Sequence, residues 1–179
     1  MSGVTRHVAF LRAVNLGKRR VRNARLVELF EELGFTDVWT HINSGNVVFD
    51  ASGRRGDLEK AIGQAIEDDV GFEVTTFVRT AAELLRALDL DPFDVAAGDT
   101  YFVTFLHAPP KAAEAKSLET LSNEFDTIEV HGRDVHWLMH GKSTDSQLKK
   151  SQWEKVLGPN SSTSRNTTML RKLVAKLDR

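Results

Sequence analysis

The apolar residues of the chain alternate between two spacings, and each change of spacing predicts the next strand or helix. The run RHVAFLRAV at residues 6–14 is apolar on both faces and predicts a buried strand. Asn23 then suits the N-cap of a helix, and Gly34 suits its C-terminal stop, with Phe35 as the apolar residue that follows. The helical stripe between them comprises Leu26, Val27, Phe30 and Leu33.

The first half continues with two strands, a helix and a further strand. DVWTHI and GNVVFD predict two strands that are joined by a turn at residues 43–45. Apolar residues at helical spacing predict an amphipathic helix over 57–70, and FEVTTFV at 72–78 predicts the closing strand. Thr80 and Glu83 have the spacing of a capping box and predict a short helix after that strand.

The second half repeats most of this order. YFVTFLHA predicts a strand over 101–108, and Pro110 is expected in the first turn of the next helix. TIEV and DVHWLMH flank residues 131–133 and predict a β-hairpin. Two helices near 145–156 and 166–177 are predicted to finish the chain, with a Ser/Thr/Asn-rich surface loop before the last one.

The order β-α-β-β-α therefore occurs twice, at 6–70 and 101–156. It predicts an α+β fold of two ferredoxin-like βαββα subdomains with additional C-terminal helices. We assign residues 1–98 to the first subdomain with its linking helix, and residues 99–179 to the second. Because the strand segments VAFL and FVTFL are apolar on both faces, we expect the two subdomains to pack together.

Composition narrows the class of protein. With 24 basic and 25 acidic residues the net charge is −1, which does not favour a nucleic-acid partner. The chain has no cysteine, which excludes disulfides, thiol catalysis and cysteine-bound zinc. It has no run of ~20 apolar residues and no signal-peptide pattern, so we expect a cytoplasmic protein with no membrane partner. Without a Walker or GxGxxG motif, no cofactor is predicted.

Metal binding, nucleophilic catalysis and base stacking are each disfavoured by spacing. His136 and His140 share one face of a predicted strand but lie about 13 Å apart, too far to bind one ion. Ser44 falls between two strands, whereas a hydrolase nucleophile is exposed by a strand-to-helix turn. No catalytic residue and no metal ligand is identified. An RNA-binding sheet needs open aromatic side chains, and packing in the core is favoured for Phe10, Phe49 and Phe105.

Two stretches have the chemistry of an anion site. In FLRAVNLGKRRVRN a buried strand becomes a basic loop, because Arg12, Asn15 and Gly17 interrupt the apolar run and four basic residues follow in 18–22. One glycine before basic side chains is a weak phosphate signal by itself. In GPNSSTSRNTTMLRKL, hydroxyl groups and Arg165 precede the N-terminus of a helix, which is a favourable place for an anion.

These stretches also resemble a known bacterial family, domain of unknown function 1697. That family has an Arg-x-Ile-Asn-x-Gly segment, a Gln-Ser-Gly-Asn-Val-x-Phe segment, a Val-x-Val-Arg strand end, an Asn-Pro-Phe and a late Thr-x-Arg-Asn. The matching residues in this sequence are Arg12, Asn15, Gly17, Ser44, Gly45, Asn46, Phe49, Arg79, Pro92, Phe93, Ser164, Arg165 and Asn166.

The chain departs from the family pattern at a few positions. Val14 stands where Ile is usual, Asn43 where Gln is usual, and Asp91 where Asn is usual. Thr167 follows Asn166 where an aromatic residue is common, which argues against stacking at that position. The resemblance implies an α+β fold of two ferredoxin-like subdomains and brings no established activity.

The leading hypothesis is that the protein binds a small anionic ligand, a phosphate-bearing metabolite or nucleotide, in a cleft between the subdomains. Several of the shared polar residues lie at strand ends or in loops, where packing alone does not require them. The arginines would hold the anion while the asparagines and the serine orient it. The predicted ligand-binding residues are Arg12, Asn15, Gly17, Ser44, Gly45, Asn46, Arg79, Arg165 and Asn166.

Three alternatives stay open. A hydrolase or transferase acting on a phosphorylated compound needs a base near the arginines, for which Asp37, His41 and Asp50 are the nearest candidates in sequence. A module that contacts a nucleic-acid backbone would use the clusters of basic residues at 18–22, 54–55 and 149–150. In the third alternative the arginines pair with acidic residues and are structural, which points to a protein partner.

Overall fold

Two four-stranded antiparallel sheets and six α-helices are present in the described residues of this computed structural model, which are 3–14, 20–42 and 45–177. The predicted α+β class with two ferredoxin-like subdomains is confirmed. Each sheet packs against its own pair of helices, so the two halves have the same architecture.

The chain divides into two compact units. One is Met1–Leu85 together with Leu177–Arg179, and the other is Arg86–Lys176. Both have the order β-α-β-β-α-β, so the repeated pattern is present in full and each unit has a fourth strand after its second helix. The assignment of residues 1–98 and 99–179 to two domains stays a prediction.

The first unit contains four strands and two helices, and a third helix follows its last strand. The strands are β1 (Thr5–Leu11), β2 (Thr36–Thr40), β3 (Asn46–Ala51) and β4 (Thr76–Thr80). The helices are α1 (Asn23–Glu32), α2 (Arg55–Val70) and α3 (Ala81–Leu90). Across the sheet the strand order is β2-β3-β1-β4, which places β1 in the interior.

The alternation along β1 buries both faces of this sheet. Ala9 and Leu11 face the helices, and Val8 and Phe10 lie on the opposite face. All four are at most 2% exposed, which confirms the predicted burial of this strand on both sides. The core on the helix side is completed by Phe49 of β3, by Val78 of β4, and by Leu26, Phe30, Ile62 and Ile66 of the helices.

Arg6 joins the sheet to the end of the chain. Its Nε donates to Asp50 Oδ1 at 2.9 Å and its Nη2 donates to Asp50 Oδ2 at 3.2 Å, a bidentate pair. Nη2 also contacts Asp37, and Nη1 donates to the carbonyl of Leu177 at 2.5 Å. These contacts raise the pKa of Arg6, chiefly through the hydrogen bond to Asp50.

Arg6→Ala is expected to lower the free energy of unfolding by about 1 to 2 kcal/mol, because it leaves two carboxylates and a carbonyl without this donor. Chemical denaturation measures the change. Arg25→Ala is the matched control, since Arg25 contacts three carboxylates where Arg6 contacts two, but is more exposed, and we expect its loss to cost less. Equal losses in the two variants would contradict a particular role for Arg6.

The second unit follows the same plan. Its strands are β5 (Thr100–Leu106), β6 (Asp126–His131), β7 (Asp134–Met139) and β8 (Ser162–Asn166). Its helices are α4 (Ala112–Glu119), α5 (Lys150–Leu157) and α6 (Thr167–Val174), and a short 3-10 helix at Ser143–Asp145 precedes α5. The strand order is β6-β7-β5-β8, so β5 has the interior place that β1 has in the first unit.

One face of this second sheet packs against α4 and α5. Leu106, Ile128 and Val135 meet Leu118 of α4 in the core. Trp137 contacts Trp153 of α5, with ring centroids 5.5 Å apart. Phe105 of the opposite face is also fully buried, so core packing is the correct interpretation of Phe10, Phe49 and Phe105.

Asp126 is a buried carboxylate at the start of β6. Its side chain accepts hydrogen bonds from Trp137 Nε1 at 2.8 Å and Ser146 Oγ at 2.6 Å on one oxygen. The other oxygen accepts from Asn123 Nδ2 and from the backbone N–H of Gln147, both at 3.1 Å. The carboxylate thereby fastens the segment before α5 to the sheet.

The prediction of a surface loop before the last helix is wrong for residues 162–166, which form strand β8. The strand pairs with β5 from Ser162 opposite Leu106 to Asn166 opposite Phe102. Residues with hydroxyl groups occupy positions where a strand usually has alternating apolar residues, and Ser164 Oγ lies 2.7 Å from Thr104 Oγ1 of β5. Because its polar side chains form hydrogen bonds with the neighbouring strand, β8 has no hydrophobic periodicity from which it could be predicted.

Several predicted element ends also differ from the structure. The first strand stops at Leu11, because Ala13 has a left-handed backbone with φ 55°. Asn23 is the first residue of α1 and not its N-cap; its side chain donates to the carbonyl of Ile42 at 3.2 Å instead. The fourth strand begins at Thr76 and not at residue 72.

The later helices begin further along than predicted. The helix after β5 begins at Ala112, so Pro110 lies outside its first turn. The helix expected from 145 begins at Lys150. Other end signals are confirmed: Gly34 has φ 90° after α1, and Thr80 Oγ1 accepts from the backbone N–H of Glu83 at 3.1 Å.

Candidate functional site

The end of β1 is where the structure brings several predicted ligand-binding residues together. The backbone N–H of Leu11 donates to the carbonyl of Gly45 at 2.9 Å, and Asn46 pairs with Phe10 in the β1–β3 register. Arg12 follows directly, and its N–H donates to the carbonyl of Thr75 at 2.9 Å. We call Arg12, His41, Gly45 and Asn46, with the adjoining residues Ala13 and Ile42, the strand-end site.

Asn46 is a buried residue that connects β3 to the residue after β2. It is 8% exposed, and its Nδ2 donates to the carbonyl of His41 at 3.3 Å. The N–H of His41 donates back to the carbonyl of Asn46 at 3.0 Å. The two bonds join the residue after β2 to the first residue of β3, so Asn46 fixes the backbone of His41 beside β3.

Backbone strain is concentrated at the strand-end site. Five non-glycine residues among those described have positive φ, and three of them are Asp or Asn, which tolerate that conformation. The other two are Ala13 at 55° and Ile42 at 62°. A β-branched residue with positive φ is a true outlier, and such residues cluster at ligand sites. Ile42 is also 58% exposed, so burial of its side chain does not explain the strain.

The N-terminus of α1 adjoins the same site. Asn23, the first residue of α1, donates from Nδ2 to the carbonyl of Ile42. The first turn of α1 has no acidic residue to neutralise the partial positive charge of the helix end. The N-terminus of this helix therefore favours an anion at this end of the sheet.

Arg79 is in the same unit but further from the strand end. It lies on β4 opposite Val8 of β1, on the sheet face away from the helices, and is 1% exposed. Its Nη1 donates to the carbonyl of Val78 at 3.1 Å. Since Val8 and Arg12 are four residues apart on one chain, the two arginines are separated by about 13 Å along the strand direction.

Arg165 and Asn166 belong to the second unit and make different hydrogen bonds. Asn166 is the N-cap of α6, and its side chain accepts from the N–H of Thr168 at 2.8 Å. Arg165 lies on β8, and its Nη1 donates to Thr163 Oγ1 at 2.9 Å and to the carbonyl of Ser164 at 3.0 Å. Burial of its guanidinium lowers the pKa of Arg165 to about 10.

Three predicted ligand-binding residues, Asn15, Gly17 and Ser44, lie outside the described residues. Two of the candidate bases are at the other end of the sheet. Asp37 and Asp50 contact Arg6, which precedes Arg12 by six residues or about 20 Å of strand. Of the three candidates, His41 alone is at the strand-end site.

Two of the basic clusters are partly neutralised. Arg55 lies 3.7 Å from Glu59, and Lys150 lies 3.3 Å from Glu154, in each case one turn further along the same helix. These pairs reduce the positive potential that a nucleic-acid backbone would require.

A buried polar pair in the second unit was missed by the sequence reasoning. His136 of β7 is 0% exposed, and its Nδ1 lies 2.5 Å from the hydroxyl of Tyr101 on β5. Burial, together with the neighbouring His131, lowers the pKa of His136 to about 4, and burial raises the pKa of Tyr101. The signal was that DVHWLMH places a histidine among apolar residues of an interior strand.

Within the described residues no group of three or more His, Asp or Glu side chains is placed to hold a metal ion. None of the helices in those same ranges has both the length and the apolarity needed to cross a bilayer.

The fold and site define a protein of two consecutive ferredoxin-like units, the first with a polar and strained strand end. The family model described as protein of unknown function, DUF1697, matches residues 4–136. The chain therefore belongs to this family. Arg165 and Asn166 lie beyond the matched residues.

A solved structure has a similar fold. It is the conserved bacterial protein SP0830 from Streptococcus pneumoniae, with a TM-score of 0.72 over 99% of this chain and 100% of that chain. The two sequences are 18% identical, so the likeness concerns the fold alone. No curated protein matches the chain.

Proposed function

We propose that the strand-end site binds a small anionic ligand, a phosphate-bearing metabolite or nucleotide. Arg12 supplies the charge, and the N-terminus of α1, whose first turn has no acidic residue, supplies a favourable dipole. Asn46 holds the backbone of His41, the residue before Ile42, beside the start of β3. Asn15, Gly17 and Ser44, which flank these residues in sequence, are proposed to complete the ligand shell.

The observation that carries the proposal is the strain at Ala13 and Ile42. Both residues are left-handed without being glycine, aspartate or asparagine, and each follows a strand, β1 or β2, at the same end of the sheet. Such a conformation costs about 1 to 3 kcal/mol per residue and persists where the surroundings over-determine it, as at ligand clamps. A plain solvated turn would relieve that cost with glycine or asparagine.

A thermal-shift screen with nucleotides, sugar phosphates and inorganic phosphate tests the proposal. A ligand at 100 times its Kd adds about 2.7 kcal/mol to the free energy of unfolding, which raises Tm by several degrees. Arg12→Ala is expected to abolish the rise. Arg54→Ala is the control, because Arg54 is exposed and follows the end of β3 opposite to Asn46, and it should keep the full response.

A ligand response that survives Arg12→Ala would place binding elsewhere. The absence of any response, together with a Tm of Arg12→Ala several degrees below that of the unchanged protein, would make Arg12 a structural residue.

A further inference from the structure

One helix of the second unit is packed less deeply than its counterpart in the first. The helices α2 and α5 have equivalent places, since each connects the third strand of its unit to the fourth. Helix α2 has 16 residues and buries Leu58, Ile62 and Ile66 in the core of its unit. Helix α5 has eight residues, all of which the structure describes, and none of the eight is buried.

The two helices also differ in their polar contacts. In the first unit Glu59 of α2 accepts a hydrogen bond from the backbone N–H of Val78 on β4 at 2.9 Å, which joins the helix to the sheet. In the second unit, within the described ranges, the side-chain hydrogen bonds and ion pairs of α5 stay inside the helix and its N-cap residue. An example is the pair of Lys150 and Glu154, 3.3 Å apart.

Apolar contact around Trp153 holds α5 on the sheet. The ring of Trp153 lies against Trp137 of β7, with centroids 5.5 Å apart. Val156 and Leu157 pack against the same core, and all four of these side chains are only half-buried. Because the stabilisation from apolar contact grows with the area removed from water, α5 is held more weakly than α2.

Both ends of α5 adjoin fixed points of the chain. Before the helix, the backbone N–H of Gln147 donates to the buried carboxylate of Asp126. After it, Gly158 has φ 90°, a left-handed backbone in which the chain turns, and Ser161 Oγ donates to the carbonyl of Leu157 at 2.7 Å. Strand β8 begins at the next residue. The helix can therefore leave the sheet without breaking a strand pairing.

Trp137, the residue beneath α5, has supports of its own. Its Nε1 donates to Asp126 Oδ1 at 2.8 Å, and its ring meets Phe102 of β5 edge-on, with centroids 5.6 Å apart. Both partners belong to the sheet. Detachment of α5 would thus uncover one side of the Trp137 ring while the contacts that orient the ring remain.

We propose that α5 is a lid, which detaches from the second sheet as one unit while the strands stay paired, and thereby controls access to the indole ring of Trp137. Segments with few buried apolar contacts open locally at a lower free energy than the whole domain. The proposal concerns the second unit and does not depend on the strand-end site.

Amide hydrogen exchange of the unchanged protein, followed by NMR at low urea concentrations, tests the proposal. The helical amides at 154–158 are expected to share one protection factor, about 100-fold or more below that of the β5 amides, because they need only the lid to open. Their exchange should also depend less steeply on urea, since opening of the lid exposes less surface than unfolding of the unit.

Three variants complete the design. Trp153→Ala removes the ring contact with Trp137 and is expected to accelerate exchange at 154–158 at least about 10-fold. Lys155→Ala, at an exposed position of the same helix, is the matched control and should change that exchange by less than about 2-fold. Val103→Ala weakens the face of the sheet away from α5, so it should accelerate exchange in β5 at least about 10-fold and leave 154–158 unchanged.

The lid is contradicted if the amides at 154–158 are as well protected as those of β5. It is also contradicted if their protection decreases residue by residue towards the helix ends, because that pattern is fraying and not the opening of a unit. If Val103→Ala accelerates exchange at 154–158 and in β5 by the same factor, α5 opens only with the whole unit, and the proposal is wrong.

Discussion

Asp126→Ala is expected to lower the free energy of unfolding by about 3 kcal/mol. The carboxylate is 0% exposed and accepts from four donors, so its removal leaves a cavity and several buried donors without a partner. Urea denaturation followed by tryptophan fluorescence measures the loss. Amide exchange at Gln147 should accelerate more than exchange in the first unit, because Asp126 holds that N–H directly.

Two controls separate this effect from a general loss of charge. Asp126→Asn keeps the shape of the side chain and one acceptor oxygen. Its NH2 group replaces the other oxygen and faces hydrogen-bond donors, so we expect an intermediate loss in the free energy of unfolding. Asp94→Ala removes a carboxylate from an exposed position and should change stability little. If Asp126→Ala cost less than about 1 kcal/mol, the hydrogen bonds to this carboxylate would not hold the unit together.

Stability is expected to fall as the pH is lowered from about 6.5 to about 4, by up to about 3 kcal/mol from His136 alone. The folded protein keeps this ring neutral because burial lowers its pKa to about 4, while the unfolded chain takes up a proton near pH 6.5. The unfolded state therefore binds more protons in that window, and stability rises with pH. His7, whose pKa is also lowered by burial, adds in the same direction.

The contribution of His136 is isolated by comparison with His136→Val over the same pH range. The variant should show a flatter dependence of the free energy of unfolding on pH between 6.5 and 4. His131, Glu129 and Tyr101 surround the ring and are kept in the variant, so the difference between the two curves reports the loss of the His136 ring from otherwise unchanged surroundings. If the two pH curves were parallel, the protonation of His136 would not lower the free energy of unfolding, and the prediction would be contradicted.

Most of the fold followed from hydrophobic spacing. The strands β1, β3 and β5 are apolar on both faces, and the helix α2 has a regular stripe, so each was recognisable from local sequence. Strand β8 was not, because its residues are Ser, Thr, Arg and Asn and its stability depends on pairing with β5. Pairing with a distant strand leaves no local periodicity in the sequence.

The site was predictable only in part. The register of β1 and β3 brings Gly45 and Asn46 beside the end of β1, as the order of the strands suggested. The positive φ of Ala13 and Ile42 was not foreseeable, because neither residue type signals a left-handed backbone. The partnership of Arg6 with Asp37 and Asp50 depends on cross-strand neighbours, which sequence distance does not reveal.

The measurement that tests the central claim most directly is a titration of the ¹⁵N-labelled protein with the most stabilising phosphate compound, followed at the backbone amides. The strand-end site predicts saturable shifts centred on Ala13, Ile42 and Gly45, with none of them in Arg12→Ala. Shifts centred elsewhere, or the same shifts in Arg12→Ala, would contradict the claim that this strand end holds the anion.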